Sequence, residues 1–123
     1  MSEPLELELN PLSFYKCLAD DTRLRCLLLI QLEQELCVCE LMAAIDESQP
    51  KISRHLAQLR SCGLLTDRRQ GQWVFYSLNE TLPDWAKLVL QLSAAENLDY
   101  VAADLSRLAQ MGDRPERAQS CCA

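Results

Sequence analysis

The stretch SQPKISRHLAQLRSCGLL, Ser48 to Leu65, decides the fold. Ser48 is a helix N-cap, and Pro50 fits the first turn, where the amide that proline lacks has no helical partner. Ile52, Leu56 and Leu59 recur at helical spacing as an inward stripe. Lys51, Ser53, Arg54, His55 and Gln58 are left largely outward, and Gly63 ends the helix. A polar, cationic helix face of this kind suits the major groove of duplex DNA. Leu64 to Arg69 and Trp73 to Leu78 then alternate as two strands about Gln70-Gly71-Gln72, a hairpin with basic residues near its tip.

Upstream, Asn10-Pro11 opens a first helix that runs to about Ala19, and Asp20-Asp21-Thr22 opens a second. Leu24, Leu27, Leu28 and Leu32 line its core face. After the polar break Glu33-Gln34-Glu35, Leu36 to Ala44 reads as a short third helix, with Asp46-Glu47 as the turn into the fourth. Downstream, Pro83-Asp84 begins a long last helix, Asp84 to Met111. Its apolar stripe, including Trp85, Leu88, Leu92 and Leu98, is longer than one small domain needs, so its spare face is expected against a second copy. The expected fold is mainly α with a β-hairpin wing, a winged helix-turn-helix built from four helices, two strands and a final helix. Residues 1–10 form an acidic arm, 11–111 the DNA-binding and dimerisation domain, and 112–123 a mobile tail that carries Cys121 and Cys122.

A chain of 123 residues buries one core, and no apolar run approaches a membrane span of roughly 20 residues. The acidic N-terminus lacks the plan of a secretory signal, so the expected location is the cytoplasm. The net charge of −6 is wrong for a DNA binder until its distribution is read. Between Ser48 and Leu78, Lys51, Arg54, Arg60, Arg68 and Arg69 stand against Asp67 alone, a local +4. Gln49, Lys51, Ser53, Arg54, His55 and Gln58, with the cap Ser48, are the candidates for the groove and its phosphates. Arg68, Arg69 and Gln72 are the candidates on the wing.

Seven cysteines in a cytosolic chain are metal or redox candidates before they are a disulfide framework. Cys17 and Cys26 fall on apolar faces and read as small buried hydrophobes, and Cys62 reads as structural. The close pairs are Cys37 with Cys39 and Cys121 with Cys122. A close thiol pair suits a soft, thiophilic ion better than an oxygen cage does. Positions i and i+2 lie about 200° apart round a helix. Cys37 and Cys39 therefore grip one ion only if Cys37 precedes the first turn or if binding unwinds that turn. Cys39 and Met42, at i and i+3, share a face.

LADDTRLRCLLLI, ELCVCEL, SQPKISRHLAQLRSCGLL and DRRQGQWVFYSL, in this order and spacing, resemble the ArsR/SmtB metal-sensing repressors, most closely the arsenite-responsive branch. The resemblance covers Leu12 to Leu108. It implies a homodimer paired through its first and last helices, whose apo form binds the operator of an arsenic-resistance operon and is released by the inducer. The implied inducer is As(III), or Sb(III) or an organoarsenical, held by Cys37 and Cys39 with no organic cofactor. Similar sensors carry a third thiol where this chain has Met42, which reads first as core packing. A hydroxide or organic group then fills the third place, or Cys121 or Cys122 supplies a thiolate. A zinc site on the last helix would need histidine, and the single histidine is His55. A cadmium or lead sensor, or a redox sensor forming a Cys37–Cys39 disulfide, is the alternative on the same fold. An enzyme is not expected, because no C-x-x-C motif, Gly-rich anion loop or βαβ pattern surrounds the thiols.

Overall fold

The computed structural model describes residues 10–112. The acidic arm up to Leu9 and the tail with Cys121 and Cys122 lie outside the described residues. Helix α1 (Pro11–Leu18) starts where the Asn10 side chain accepts the Ser13 N–H at 2.9 Å. Helix α2 (Asp21–Glu33) starts in the same manner, with Asp20 accepting the Arg23 N–H at 3.0 Å. In each case a side-chain oxygen satisfies an amide that the first turn leaves unpaired. Among the described residues no helix is long and apolar enough to cross a membrane.

Cys26 to Ile30 of α2 are all buried, so this helix is covered on every side and forms the axis of the core. Phe14 of α1, Leu56 and Leu59 of helix α4 (Gln49–Ser61), and Leu90 and Ala94 of helix α5 (Asp84–Glu96) belong to the same cluster. Gly63 follows α4 at φ +87°, a conformation that costs a residue with a Cβ about 1–2 kcal/mol.

Two expectations need correction. Leu36–Cys37 is not helical. It is a short strand, β1, and helix α3 (Val38–Ile45) begins after it. Strands β2 (Leu65–Gln70) and β3 (Trp73–Leu78) form the expected hairpin, and β1 adds to its other side in the order β1-β3-β2, all antiparallel. The free edge of β3 offered backbone partners that a helix from Leu36 would have wasted.

The last helix is also not continuous from Asp84 to Met111. It stops at Asn97, passes through a 3-10 turn (Leu98–Val101) and resumes as α6 (Ala102–Ala109). The Asn97 side chain donates to the Ser93 carbonyl at 2.9 Å, the acceptor that its own amide would take in a continued helix. The break turns α6 onto α3. There Asp104, only 1% exposed, accepts from Arg25 at 2.6 and 2.8 Å and from Arg107 at 2.8 Å. The same two arginines donate onward to α3, Arg107 to the Ala44 carbonyl at 2.8 Å and Arg25 to the Ile45 carbonyl at 3.4 Å. These are carbonyls of the last turn, which the helix cannot satisfy itself.

Two stability outcomes follow, one from this network and one from the exposed face of α5. Replacing Asp104 by Ala leaves Arg25 with Asp21 alone and takes from Arg107 its carboxylate, and should lower unfolding free energy in urea by about 3 kcal/mol. Leu88→Ala on the exposed side of α5 should change it by no more than about 0.5 kcal/mol in the monomeric state. The Tyr100 hydroxyl donates to Asp21, which with Arg25 holds that carboxyl below its ordinary range. Burial first, and this bond second, push the Tyr100 phenol up to about 12. Asp21 titrates lower folded than unfolded, so its contribution is present above about pH 4 and lost as pH falls through the folded value. Tyr100→Phe should therefore move the acid-unfolding midpoint, followed by circular dichroism, to higher pH.

Candidate nucleic-acid interface and thiol site

Helix α4 presents its N-terminal half to solvent. Ser48 caps it, accepting the Lys51 N–H at 3.4 Å, and Ser48, Gln49, Pro50, Arg54 and Gln58 are exposed, with Lys51 and Ser53 half-buried. His55 is not on this face: it is 8% exposed, with Nδ1 3.8 Å from an Asp20 carboxylate oxygen. Its outward assignment is corrected by the helical period itself. Position 55 lies three residues from Ile52 and four from Leu59, inside the buried stripe.

The local +4 is largely answered by carboxylates close at hand. Lys51 pairs with Glu47 at 3.2 Å, Arg60 with Asp67 at 3.1 Å, and Arg68 with Glu35 at 2.7 and 2.8 Å. The Arg68 guanidinium also lies 4.7 Å from the Phe75 ring centre, and its pKa is raised chiefly by the Glu35 contact. Gln58 accepts from Arg23 at 3.1 Å. Of the cations between Ser48 and Leu78, Arg54 on α4 and Arg69 on β2 are exposed and in no ion pair among the described residues, so these two are the most available to phosphate or base edges. Gln72, exposed in the hairpin turn beyond them, extends the same surface.

The thiols sit where helix and wing meet. Cys37 is the N-cap of α3, with extended backbone (φ −91°, ψ 169°), and its neighbour across the sheet is Phe75 of β3. It therefore precedes the first helical turn, and the 200° separation expected of two helical positions does not apply. Glu40, fully buried, accepts the Cys37 N–H at 2.8 Å, the return half of a capping box in which cysteine occupies the place of serine or threonine. Cys37 is 1% exposed and Cys39 half-buried. Met42 is half-buried and packs against the core. Among the described residues no group of three His, Cys, Asp or Glu side chains is arranged to hold a metal ion.

Two further cysteines, read from sequence as a buried hydrophobe and a structural residue, are bonded to each other. Cys17 of α1 and Cys62, the C-cap of α4, form a disulfide across a separation of 45 residues. Their distance along the chain hid the pairing, which only the packing of α1 on α4 creates.

The profile described as bacterial regulatory protein, arsR family, matches residues 20–67, which run from the cap of α2 into β2. The chain is similar to the arsenic resistance transcriptional regulator ArsR1 of Pseudomonas putida, 53% identical over 92% of this chain and 88% of that protein. It is likewise similar to the arsenical resistance operon repressor of Escherichia coli, 46% identical over 85% and 92% of the two chains. The crystal structure of the AntR antimony-specific transcriptional repressor superposes with a TM-score of 0.57 at 28% identity, covering 70% of this chain and 75% of that one. With its three-stranded wing packed against α3 and α4, this winged helix-turn-helix chain belongs to the arsR family of bacterial regulatory proteins.

Proposed function

We propose that the protein is an arsenite-responsive transcriptional repressor, a cytoplasmic dimer that leaves its operator when trivalent arsenic binds Cys37 and Cys39. The observation that carries this reading is the position of Cys37, which caps α3 and is also a residue of the strand that anchors the wing. One thiol thus belongs to the supports of both DNA-facing elements. The relatives named for arsenic resistance, and the antimony-specific repressor of similar fold, support a trivalent metalloid as the inducer. Sb(III) and organoarsenicals present the same thiophilic centre. The third coordination place goes to hydroxide, to an organic substituent or to a thiolate of Cys121 or Cys122. The protein works by binding, and no catalytic step is assigned to it.

Dimerisation through α1 and α5 is supported by the exposed apolar side chains they share. Leu12 and Tyr15 of α1 and Trp85, Leu88 and Leu92 of α5 remain on the surface, and Tyr15 and Trp85 rings lie 6.5 Å apart. A second copy covering this face places two α4 helices for successive major grooves.

The mechanism follows from burial. An ion that takes both thiols must draw the Cys37 sulfur out of a site that is 1% exposed, which disturbs the cap of α3 and the β1–β3 pairing together. The other end of α3 is clamped by Arg25 and Arg107, so the strain passes into the turn before α4. A coupling of about 1–3 kcal/mol weakens operator binding on the order of 5- to 150-fold.

In fluorescence anisotropy with an operator fragment, Cys37→Ser/Cys39→Ser should bind DNA and fail to dissociate on arsenite addition. Dissociation of that variant by arsenite would move the site elsewhere in the chain. Arg54→Ala should weaken operator binding by about 1–3 kcal/mol. It should leave the arsenite titration of the DNA-free protein unchanged, and loss of both would indicate misfolding.

A further inference from the structure

The Cys17–Cys62 pair lies apart from Cys37 and Cys39 in the fold and has its own route to solvent. Both cysteines line an open cleft of about 460 Å³ between α1 and α4, together with Lys16, Arg23 and Arg54. No carboxylate lines it. Arg23 braces the same junction beside the disulfide. Its Nε donates to the Cys17 carbonyl at 2.7 Å, one Nη to the Lys16 carbonyl at 3.2 Å and the other to Gln58 of α4 at 3.1 Å. The bonded sulfurs thus lie where three helices meet, beneath a cationic opening.

We propose that Cys17 and Cys62 form a reversible thiol–disulfide site that takes an anionic low-molecular-weight disulfide as oxidant and, when oxidised, tightens the binding of the dimer to DNA. The cleft selects such a reagent by charge: its cations attract carboxylates on the incoming molecule and favour the thiolate that must attack. Cys62, the more exposed of the pair, attacks one sulfur of the small disulfide, whose S–S bond breaks and releases one small thiolate with the electron pair. Cys17 then attacks the mixed disulfide at the Cys62 sulfur and releases the second. In the balance two protein thiols give up two electrons and two protons, and one small disulfide becomes two small thiols.

The consequence for DNA rests on the repressor reading above. The bond ties the C-terminal end of α4 to α1, whose Leu12 and Tyr15 belong to the exposed face proposed for the dimer. A covalent link there fixes α4 relative to the partner's α4 before DNA arrives, so less freedom is lost on binding.

The test uses the full-length protein equilibrated in buffers of varied glutathione to glutathione disulfide ratio. Peptide mass mapping reads the Cys17–Cys62 cross-link, and operator anisotropy reads affinity. The expected result is a cross-link whose formation lowers the operator dissociation constant at least threefold and which dithiothreitol reverses. Cys17→Ser and, separately, Cys62→Ser should keep the affinity of the reduced protein at every ratio, with thermal melts showing that each is folded. Absence of the cross-link, a cross-link without tighter binding, or a shift that persists in both variants would overturn the proposal. Arsenite added to the reduced wild-type protein reads Cys37 and Cys39 independently. A redox shift without arsenite release supports the Cys17–Cys62 site and counts against the arsenite reading alone.

Discussion

A single buried carboxylate, Asp104, determines where α3 stands. It holds the guanidinium groups of Arg25 and Arg107, and these hold the last carbonyls of α3. A carboxylate so little exposed is tolerated only when its charge finds partners, and Asp104 has two. It fixes one end of α3 from two directions, the core helix α2 and the terminal helix α6. With that end fixed, whatever happens at the Cys37 end cannot be absorbed by sliding the helix along its axis. It must appear as rotation or local unwinding, and α4 begins only four residues after α3 ends.

Much of this was legible in the chain because local rules and tertiary packing agree. Ser48, Pro50 and Gly63 bound α4 by capping chemistry that acts within a turn, and Gly71 closes the hairpin for the same kind of reason. The elements misread are those where a distant partner overrides the local preference. Leu36 and Cys37 match a helical pattern, but β3 offers them hydrogen bonds. The stripe from Trp85 to Leu108 is periodic throughout, yet Asn97 competes for its own helical acceptor, and burial of Asp104 requires the turn that follows. His55 was misassigned by its polarity, although its spacing from Ile52 and Leu59 already placed it inside.

The candidate site divides in the same way. The thiol pair and the cationic segment are visible as motifs, whereas their connection is not. Cys37 and Phe75 are far apart in sequence and opposite each other in the sheet, and this pairing makes the thiol a member of the wing's foundation. The tally of positive charge likewise overstated what is available to DNA. Partners for Lys51, Arg60 and Arg68 come from Glu47, Asp67 and Glu35, and only one of these lies within the basic segment itself.

The Arg68–Glu35 pair has a bearing on how titrations with salt are to be interpreted. Glu35 is separated from Cys37 by Leu36 alone, so its two hydrogen bonds to Arg68 strap the wing to the segment that leads into the thiols. Dissolved ions weaken an exposed pair of this kind while they also compete for phosphates. The slope of log affinity against log salt then contains two processes: counterions returning to the DNA, and a wing gaining freedom from its strap. A phosphate count taken from that slope exceeds the number of cations that touch the backbone. The excess measures how firmly the wing is fastened before DNA is met.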